Sequence, residues 1–288
     1  MEWEVLIMND VNVSVSELLD HFETEGYCII RNLLDPSVIE DLRLEIEQMV
    51  EEYAQKLLAD HKTIDSYPND PIEKRLMRLF ENHLSEAPSM FRKQLHREGF
   101  YGLFFNRGLL DIVEKKLGEE ILLYPNYTLR PKIPEMEAGR VLWHQDAGYT
   151  GNGEEVAQLR MVNLWTPLVK VNVENGCMQF IPGTHKLGAV PHVEKTYYLE
   201  IAEEELQPRL KDAINVELNP GDVVMFHNLL FHQGLPNHSD HIRWSLDWRY
   251  LDATQPTLRK EKGHIARSRS HPEKEVHNKQ AWAQLSLT

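Results

Sequence analysis

The chain has 288 residues, of which 26% are charged, and its formal net charge at pH 7 is −14. This length suits one large domain or two small ones, and β-barrels with added helices often reach it as a single domain. The acidic balance argues against nucleic acid as a main partner, because phosphate binding needs a basic surface. It does not exclude a small anionic substrate, which a few local arginines can hold.

The cysteines and the amino-terminal residues bear on the compartment of the protein. Cys28 and Cys177 each lie inside an apolar run, which predicts neither a disulfide framework nor a cysteine-rich zinc site. Residues 1–4 lack the basic and apolar regions of a signal peptide, and no segment has the apolar length of a membrane span. We therefore expect a cytoplasmic protein without a membrane anchor; the sequence leaves monomer and homodimer open.

Helical patterns dominate the first part of the chain. Ser14 and Glu17 form a capping box that predicts the start of a helix. Apolar residues at helical spacing predict a second helix over residues 35–57 and another over residues 108–116. We expect residues 1–120 to be a mostly helical packing scaffold without catalytic groups.

Strand patterns follow, with short β-rich runs separated by glycine and proline turns over residues 121–251. Such runs indicate a mainly β fold with flanking helices, a double-stranded β-helix of the jelly-roll or cupin type, and they do not fit alternating βαβ units. Residues 252–288 are polar and relatively basic, with Trp282 as an apolar anchor, and we expect a tail that folds back. Residues 1–288 are predicted to form a single domain.

One motif within the predicted barrel has metal-ligand spacing. His144 and Asp146 are two residues apart in an apolar, extended segment, so both side chains can point to one side of a strand. An imidazole and a carboxylate are two of the three ligands of the 2-His-1-carboxylate facial triad that binds Fe(II). The third ligand is expected on a distant strand, where His227 and His232 are both candidates.

Several further motifs occur in the same order and spacing as in a known family. They are His144-Gln145-Asp146, Trp165, Glu174-Asn175-Gly176-Cys177, Ile181-Pro182-Gly183-Thr184-His185-Lys186, Gly221-Asp222, and His232 with Arg243. With these motifs the chain resembles the phytanoyl-CoA dioxygenase family, Fe(II)- and 2-oxoglutarate-dependent oxygenases on a double-stranded β-helix. The resemblance covers about residues 14–251. It implies that His144, Asp146 and His232 bind iron, and it leaves His227 as a core or rim residue.

The resemblance also implies a binding site for the co-substrate 2-oxoglutarate. Arg243 would hold its distal carboxylate, because a planar guanidinium can pair with a carboxylate through two hydrogen bonds. Ser245 lies two residues further on the same strand face and could share that carboxylate. Lys132 matches a basic residue on an upstream strand of the family, with Arg130 as its rival, and Trp165 matches a tryptophan that lines the co-substrate pocket.

Two positions fit the family pattern less simply. Gln145 stands between two ligands and should point to the opposite side of an undistorted strand, yet the resemblance puts it beside the co-substrate. Gly234 replaces a serine that contacts the co-substrate in some members of the family. Asn237 and Ser239 fit a turn and are assigned no chemistry.

Candidate substrate contacts are predicted around the pocket mouth. Tyr149 lies near the metal-binding strand, and Gln158 and Arg160 are expected on the next strand. The basic tail could fold over the mouth and offer Arg267 or Arg269 to an anionic group. For each of these residues an exposed, solvated position is the plainer alternative.

The resemblance implies hydroxylation of an unactivated C–H bond of a small molecule, with Fe(II), 2-oxoglutarate and O2, and with release of succinate and CO2. Desaturation or ring formation by the same cofactors stays open. Two alternatives come from other classes of protein. One is a cupin-type metal-dependent hydrolase or isomerase, and the other is a non-catalytic barrel that binds a small ligand. Arg243 argues against the first, because such an enzyme needs no fixed partner for a dicarboxylate. The intact set of His144, Asp146, His232 and Arg243 argues against the second, because decay usually removes at least one of these residues.

Overall fold

The computed structural model describes residues 5–7, 11–136, 140–149, 153–195 and 199–286. The helices are α1 (Val15–Glu25), α2 (Pro36–Ala59), α3 (Ile72–Leu79), α4 (Tyr101–Phe104), α5 (Arg107–Leu117), α6 (Gly153–Ala157), α7 (Glu203–Leu206) and α8 (Lys279–Ala283). The strands are β1 (Val5–Ile7), β2 (Val11–Val13), β3 (Tyr27–Ile30), β4 (Glu120–Leu123), β5 (Thr128–Lys132), β6 (Val141–His144), β7 (Met161–Pro167), β8 (Met178–Ile181), β9 (His192–Glu194), β10 (Leu199–Ile201), β11 (Ile214–Val216), β12 (Val223–His227), β13 (Phe231–Gly234), β14 (Arg243–Asp252) and β15 (His264–Ser268).

Two antiparallel sheets form the barrel. The larger has the strand order β15-β4-β14-β7-β12-β3, with β5 also paired to β14, and the smaller has the order β11-β8-β13-β6. The inner faces of both sheets line one cavity, to which β14 and β6 both contribute. This is the predicted jelly-roll architecture with flanking helices, so the expected fold class is confirmed.

The predicted helices are present and cover the outer face of the larger sheet. The side chain of Ser14 accepts a hydrogen bond from the Glu17 amide, which completes the capping box of α1. Gly26 ends α1 with φ of 84°, a backbone conformation that glycine adopts without strain. The apolar stripe of α2 is buried in the main core, which also contains the outward-facing Trp244 and Trp248 of β14. None of the described helices is both long and apolar enough to cross a membrane.

The larger sheet extends beyond residues 121–251, where the barrel was expected. Strand β3, from the helical amino-terminal part, pairs with β12, and β15, from the tail, pairs with β4. The edge strands of this sheet therefore come from both flanking regions. They pair with β12 and β4, which would otherwise be open edges of the barrel core. Near the end of the tail, Trp282 of α8 is fully buried and stacks on His96 with ring centroids 4.1 Å apart.

Candidate metal centre

His144, Asp146 and His232 converge in the barrel, with one ligand atom from each lying within 4.8 Å of the others. His144 is the last residue of β6 and pairs in register with His232 on β13. The extended strand predicted through Asp146 is wrong, because β6 ends at His144 and Asp146 begins a 3-10 turn. That turn carries Oδ1 of Asp146 to 3.4 Å from Nε2 of His144 and 3.9 Å from Nε2 of His232.

Hydrogen bonds to the backbone orient both imidazoles. Nδ1 of His144 lies 2.7 Å from the carbonyl oxygen of Leu142, and Nδ1 of His232 lies 2.9 Å from that of Leu230. A carbonyl accepts only, so each Nδ1 carries a proton, which leaves each Nε2 as the ring nitrogen that can bind a metal. Burial lowers the pKa of His232 to about 3, which keeps this imidazole neutral. Two nitrogen donors and one carboxylate oxygen on one side of a cavity fit Fe(II).

Arg249 is a residue of this centre that the sequence reasoning missed. Its Nη2 donates a hydrogen bond to Oδ2 of Asp146 at 2.7 Å, and its Nη1 donates to the carbonyl of Asn126 at 3.0 Å. Burial alone would raise the pKa of Asp146, but the Arg249 guanidinium beside Oδ2 holds it well below its usual value. The guanidinium thus occupies one carboxylate oxygen and leaves the other facing the histidines.

Arg243 lies on the same face of β14 and lines the cavity that contains the three converging residues. It is 4% exposed, and its guanidinium lies over the ring of Trp165, 5.2 Å from the centroid. Burial lowers its pKa to about 10, so it stays a cation at neutral pH. Ser245 accepts a hydrogen bond from Nη1 of Arg243 and so holds the guanidinium in place.

Lys132 and Arg130 both line the cavity from β5. Lys132 pairs in register with Arg243, and its Nζ donates to the carbonyl of Gly234 at 3.1 Å. A Cβ atom at Gly234 would lie 3.1 Å from that Nζ. The ammonium group of Lys132 therefore occupies the space that a serine side chain at position 234 would need. Arg130 instead donates from Nε to Oδ2 of Asp247 at 2.7 Å. Of the two rivals, the structure therefore brings Lys132 nearer to Arg243.

Gln145 does not lie where the resemblance puts it. The residue is fully buried, and its Nε2 donates to the carbonyls of Gly188 and Leu229, each at 2.8 Å. Its Oε1 accepts from the amide of Val190 at 2.9 Å. These bonds connect the metal motif to two other loops, and they direct the side chain of Gln145 away from the cavity. Because β6 ends at His144, these tertiary hydrogen bonds decide the orientation of Gln145.

The predicted substrate contacts near β7 are also displaced. Gln158 is exposed and follows α6, and Arg160 is exposed and precedes β7, so neither lies on the strand as expected. Arg160 forms an ion pair of 3.0 Å with Asp252 and bonds to the carbonyl of Leu117, outside the cavity. Tyr149 ends the 3-10 turn of the metal motif, and its side chain lies outside the described part of the chain.

The tail does not present its arginines to the cavity. Strand β15 lies along the edge of β4, and Arg267 contacts Asp111 at 2.8 Å and Glu114 at 2.5 Å on α5. Arg269 contacts Glu114 as well, at 3.0 Å. The expected position of Arg267 and Arg269 over the pocket mouth is therefore wrong. The carboxylates of α5 attract them to the opposite side of β4.

The remaining polar residues have structural partners. His227 is outside the converging group, and its Nδ1 accepts from the amide of Leu229 at 3.1 Å. Asn237 donates to the carbonyls of Lys132 and His241, and Ser239 bonds to Asn237 in the same turn. These contacts agree with the interpretation that none of these residues carries chemistry.

Comparisons with known proteins agree with this geometry. The family model for phytanoyl-CoA dioxygenase (PhyH) matches residues 22–245. The human peroxisomal phytanoyl-CoA dioxygenase is 25% identical over 95% of this chain and 82% of its own length. A 1-deoxypentalenic acid 11-beta-hydroxylase of Streptomyces arenae is 26% identical over 83% of this chain and 82% of that protein.

The fold also matches solved structures. The epimerase SnoN, solved with Fe3+, alpha ketoglutarate and nogalamycin RO, has a TM-score of 0.59 and 21% identity. The match covers 84% of this chain and 86% of that chain. The family match spans more than half of the sequence and includes the three converging residues. The chain therefore belongs to the phytanoyl-CoA dioxygenase family of Fe(II)- and 2-oxoglutarate-dependent oxygenases.

Proposed function

We propose that this chain is an Fe(II)- and 2-oxoglutarate-dependent dioxygenase that hydroxylates an unactivated C–H bond of a small molecule. In this proposal His144, Asp146 and His232 bind the metal, and residues 1–288 act as one oxygenase domain. The observation that carries it is the convergence of these three side chains within 4.8 Å, in a cavity that Arg243 also lines. The bound cofactors supply an oxidant for the C–H bond, with O2 consumed and succinate and CO2 released.

The chain's own residues would position both reactants. Arg243 is a buried cation whose planar guanidinium can take up a carboxylate of 2-oxoglutarate through two hydrogen bonds. Ser245 and the ring of Trp165 hold it from two sides, so little side-chain entropy is lost when the co-substrate binds. Lys132 stands beside Arg243 and can add a hydrogen bond to the same carboxylate.

Arg249 would act through Asp146. It occupies Oδ2, so only Oδ1 is directed towards the metal position, and the carboxylate would bind through one oxygen. A carboxylate that occupies only one coordination position would leave the other positions of the metal for 2-oxoglutarate and O2. Partners behind metal ligands often change metal affinity by about 10- to 100-fold.

Hydroxylation is favoured over other outcomes by the names of related proteins. The Streptomyces arenae relative is a hydroxylase and is similar over most of this chain. SnoN, which shares the fold at lower identity, is an epimerase, so the fold alone does not decide the reaction.

The test is succinate formation from 2-oxoglutarate by purified protein with Fe(II) in air. The wild-type chain should form succinate, and Asp146→Ala should form none. Asp240→Asn is a matched control, because it removes an exposed carboxylate that is not in the cavity lining and should behave as wild type. Succinate formation by Asp146→Ala at the wild-type rate would contradict the proposal.

A further inference from the structure

A short segment before α4 runs along the rim of the cavity. Ser89 and Met90 line the cavity, and Phe91 exchanges two backbone hydrogen bonds of 2.9 and 3.0 Å with Leu129 of β5. The ring of Phe91 points outwards and packs against Trp244 in the main core. Arg92 is the next residue, and Thr128 is the chain neighbour of Leu129 on the opposing strand. The guanidinium of Arg92 interacts electrostatically with Arg130, Asp247 and Arg249, which all line the cavity, so it lies on the cavity side of this segment.

Arg92 forms no ion pair within the described residues, although Asp247 lies within electrostatic reach of it. Among the described residues it has no ion pair and no side-chain hydrogen bond, and its Nε is buried without a partner. The nearest acid on the inner face, Asp247, already binds Nε of Arg130 at 2.7 Å and lies 3.5 Å from Nη1 of Arg249. Burial lowers the pKa of Arg92, and the charge of Arg130 lowers it further. A half-buried guanidinium in such a place is costly unless an anion joins it.

Other polar atoms on this inner face also lack partners. Thr128, which pairs in register with Asp247, is fully buried, and its Oγ1 has no hydrogen bond within the described residues. Asn163, which pairs with Arg249, is 1% exposed, and neither its Oδ1 nor its Nδ2 has a partner there. A buried polar group without a partner is destabilising, so a group of them indicates a place that a ligand completes.

The charge of the whole chain makes the local excess of arginine informative. The formal net charge is −14, so the general field of the protein repels anions. In contrast, the described lining of the cavity contains the basic residues Arg130, Lys132, Arg243 and Arg249 and the acids Asp146 and Asp247. Arg92 lies within electrostatic reach of Arg130 and Arg249. The proposed function uses Arg243 for 2-oxoglutarate and Arg249 for Asp146. It has no use for Arg92.

We propose that Arg92 and Thr128 form an oxyanion subsite for the substrate, which is therefore a small organic anion with a carboxylate or a phosphate monoester. This inference rests on the proposed function, since it concerns the substrate of that centre. The guanidinium and the hydroxyl bind the charged group near the rim. The remainder of the molecule then extends along the inner face towards the metal ligands.

The test uses protein saturated with Ni(II) and 2-oxoglutarate, so that no turnover occurs and Arg243 is already engaged. Calorimetric titrations with hexanoate and hexyl phosphate are compared with hexanamide, a neutral probe of the same length. At least one anion should bind about tenfold more tightly than the amide, as a charge-assisted hydrogen bond implies. In Arg92→Gln this preference should disappear, whereas the affinity for 2-oxoglutarate should stay unchanged.

Two controls keep the result specific. Lys93→Gln removes an equal charge from the exposed neighbouring residue and should keep the preference, and Arg92→Lys should keep most of it. Equal binding of both anions and the amide by the wild-type chain would overturn the subsite, whatever the stability of the variants. A preference that survives in Arg92→Gln but is lost in Arg243→Gln would overturn it too. If the wild-type chain with Ni(II) fails to bind 2-oxoglutarate when it is titrated with that compound, the result would instead refute the proposed function.

Discussion

Replacing Arg249 with methionine tests the contact between the guanidinium and Asp146. Both side chains are nearly buried, with 8% and 9% exposure, and their atoms lie 2.7 Å apart. Removing one member of a buried ion pair costs about 3–5 kcal/mol, because the other charge stays buried without compensation. The lost hydrogen bond to the carbonyl of Asn126 adds about 1 kcal/mol. We expect Arg249→Met to lower the free energy of unfolding by about 4 kcal/mol or more in the absence of metal.

The measurement is urea unfolding in the presence of a chelator, followed by the same titration with saturating Ni(II). A cation bound at Asp146 replaces the missing positive charge, so the metal should recover part of the loss in the variant. Arg269→Met is the matched control, since it removes a 57% exposed arginine from a surface ion pair and should leave the urea midpoint nearly unchanged. If Arg249→Met without metal unfolds within 1 kcal/mol of the wild type, the buried pair does not compensate Asp146 as argued.

Two more substitutions probe the co-substrate site and the core. Arg243→Gln should weaken 2-oxoglutarate binding by about 10- to 100-fold, with metal binding unchanged, because a charge-assisted contact contributes about 1.5–3 kcal/mol. Calorimetry of the Ni(II) protein measures this, and an unchanged affinity would move the role to Lys132. Burial lowers the pKa of His227 from 6.5 to about 4, so the unfolded chain binds more protons between these pH values. The free energy of unfolding should therefore fall as pH drops from 6.5 to 4, by up to about 3 kcal/mol. In His227→Asn, whose amide oxygen can still accept from the Leu229 amide, urea unfolding should show a smaller fall; an equal fall would assign the proton uptake elsewhere.

The fold and the converging residues could be predicted because their signals are local or strongly patterned. The capping box of α1 is a hydrogen-bonding arrangement of four residues, and the structure contains it. Periodicity does not distinguish His232 from His227, since both follow the same turn, and only the family resemblance favours His232. The structure pairs His232 with His144 across two strands.

The errors fall where long-range contacts decide. Arg267 and Arg269 are basic residues in a polar tail. No local pattern indicates that their partners Asp111 and Glu114 lie on a helix more than 150 residues earlier in the chain. Gln145 has its partners in two distant loops, so its position follows from tertiary packing.

Arg249 is different, because a signal for it was present. Arg243, Ser245, Asp247 and Arg249 recur every second residue, so all four share one face of β14. Applying strand periodicity from Arg243 onwards would have placed Arg249 inside the barrel. A carboxylate stabilises a buried arginine there, and Asp146 is one that the metal motif supplies.

The most direct test of the metal centre is the visible spectrum of the purified chain with Fe(II) and 2-oxoglutarate in the absence of oxygen. Chelation of Fe(II) by 2-oxoglutarate should produce a weak charge-transfer band in the wild-type chain and in His227→Asn. His232→Ala removes one of the three converging ligands and should abolish the band. A wild-type chain without the band, or a band that persists undiminished in His232→Ala, would contradict the assignment of His144, Asp146 and His232 as the iron site.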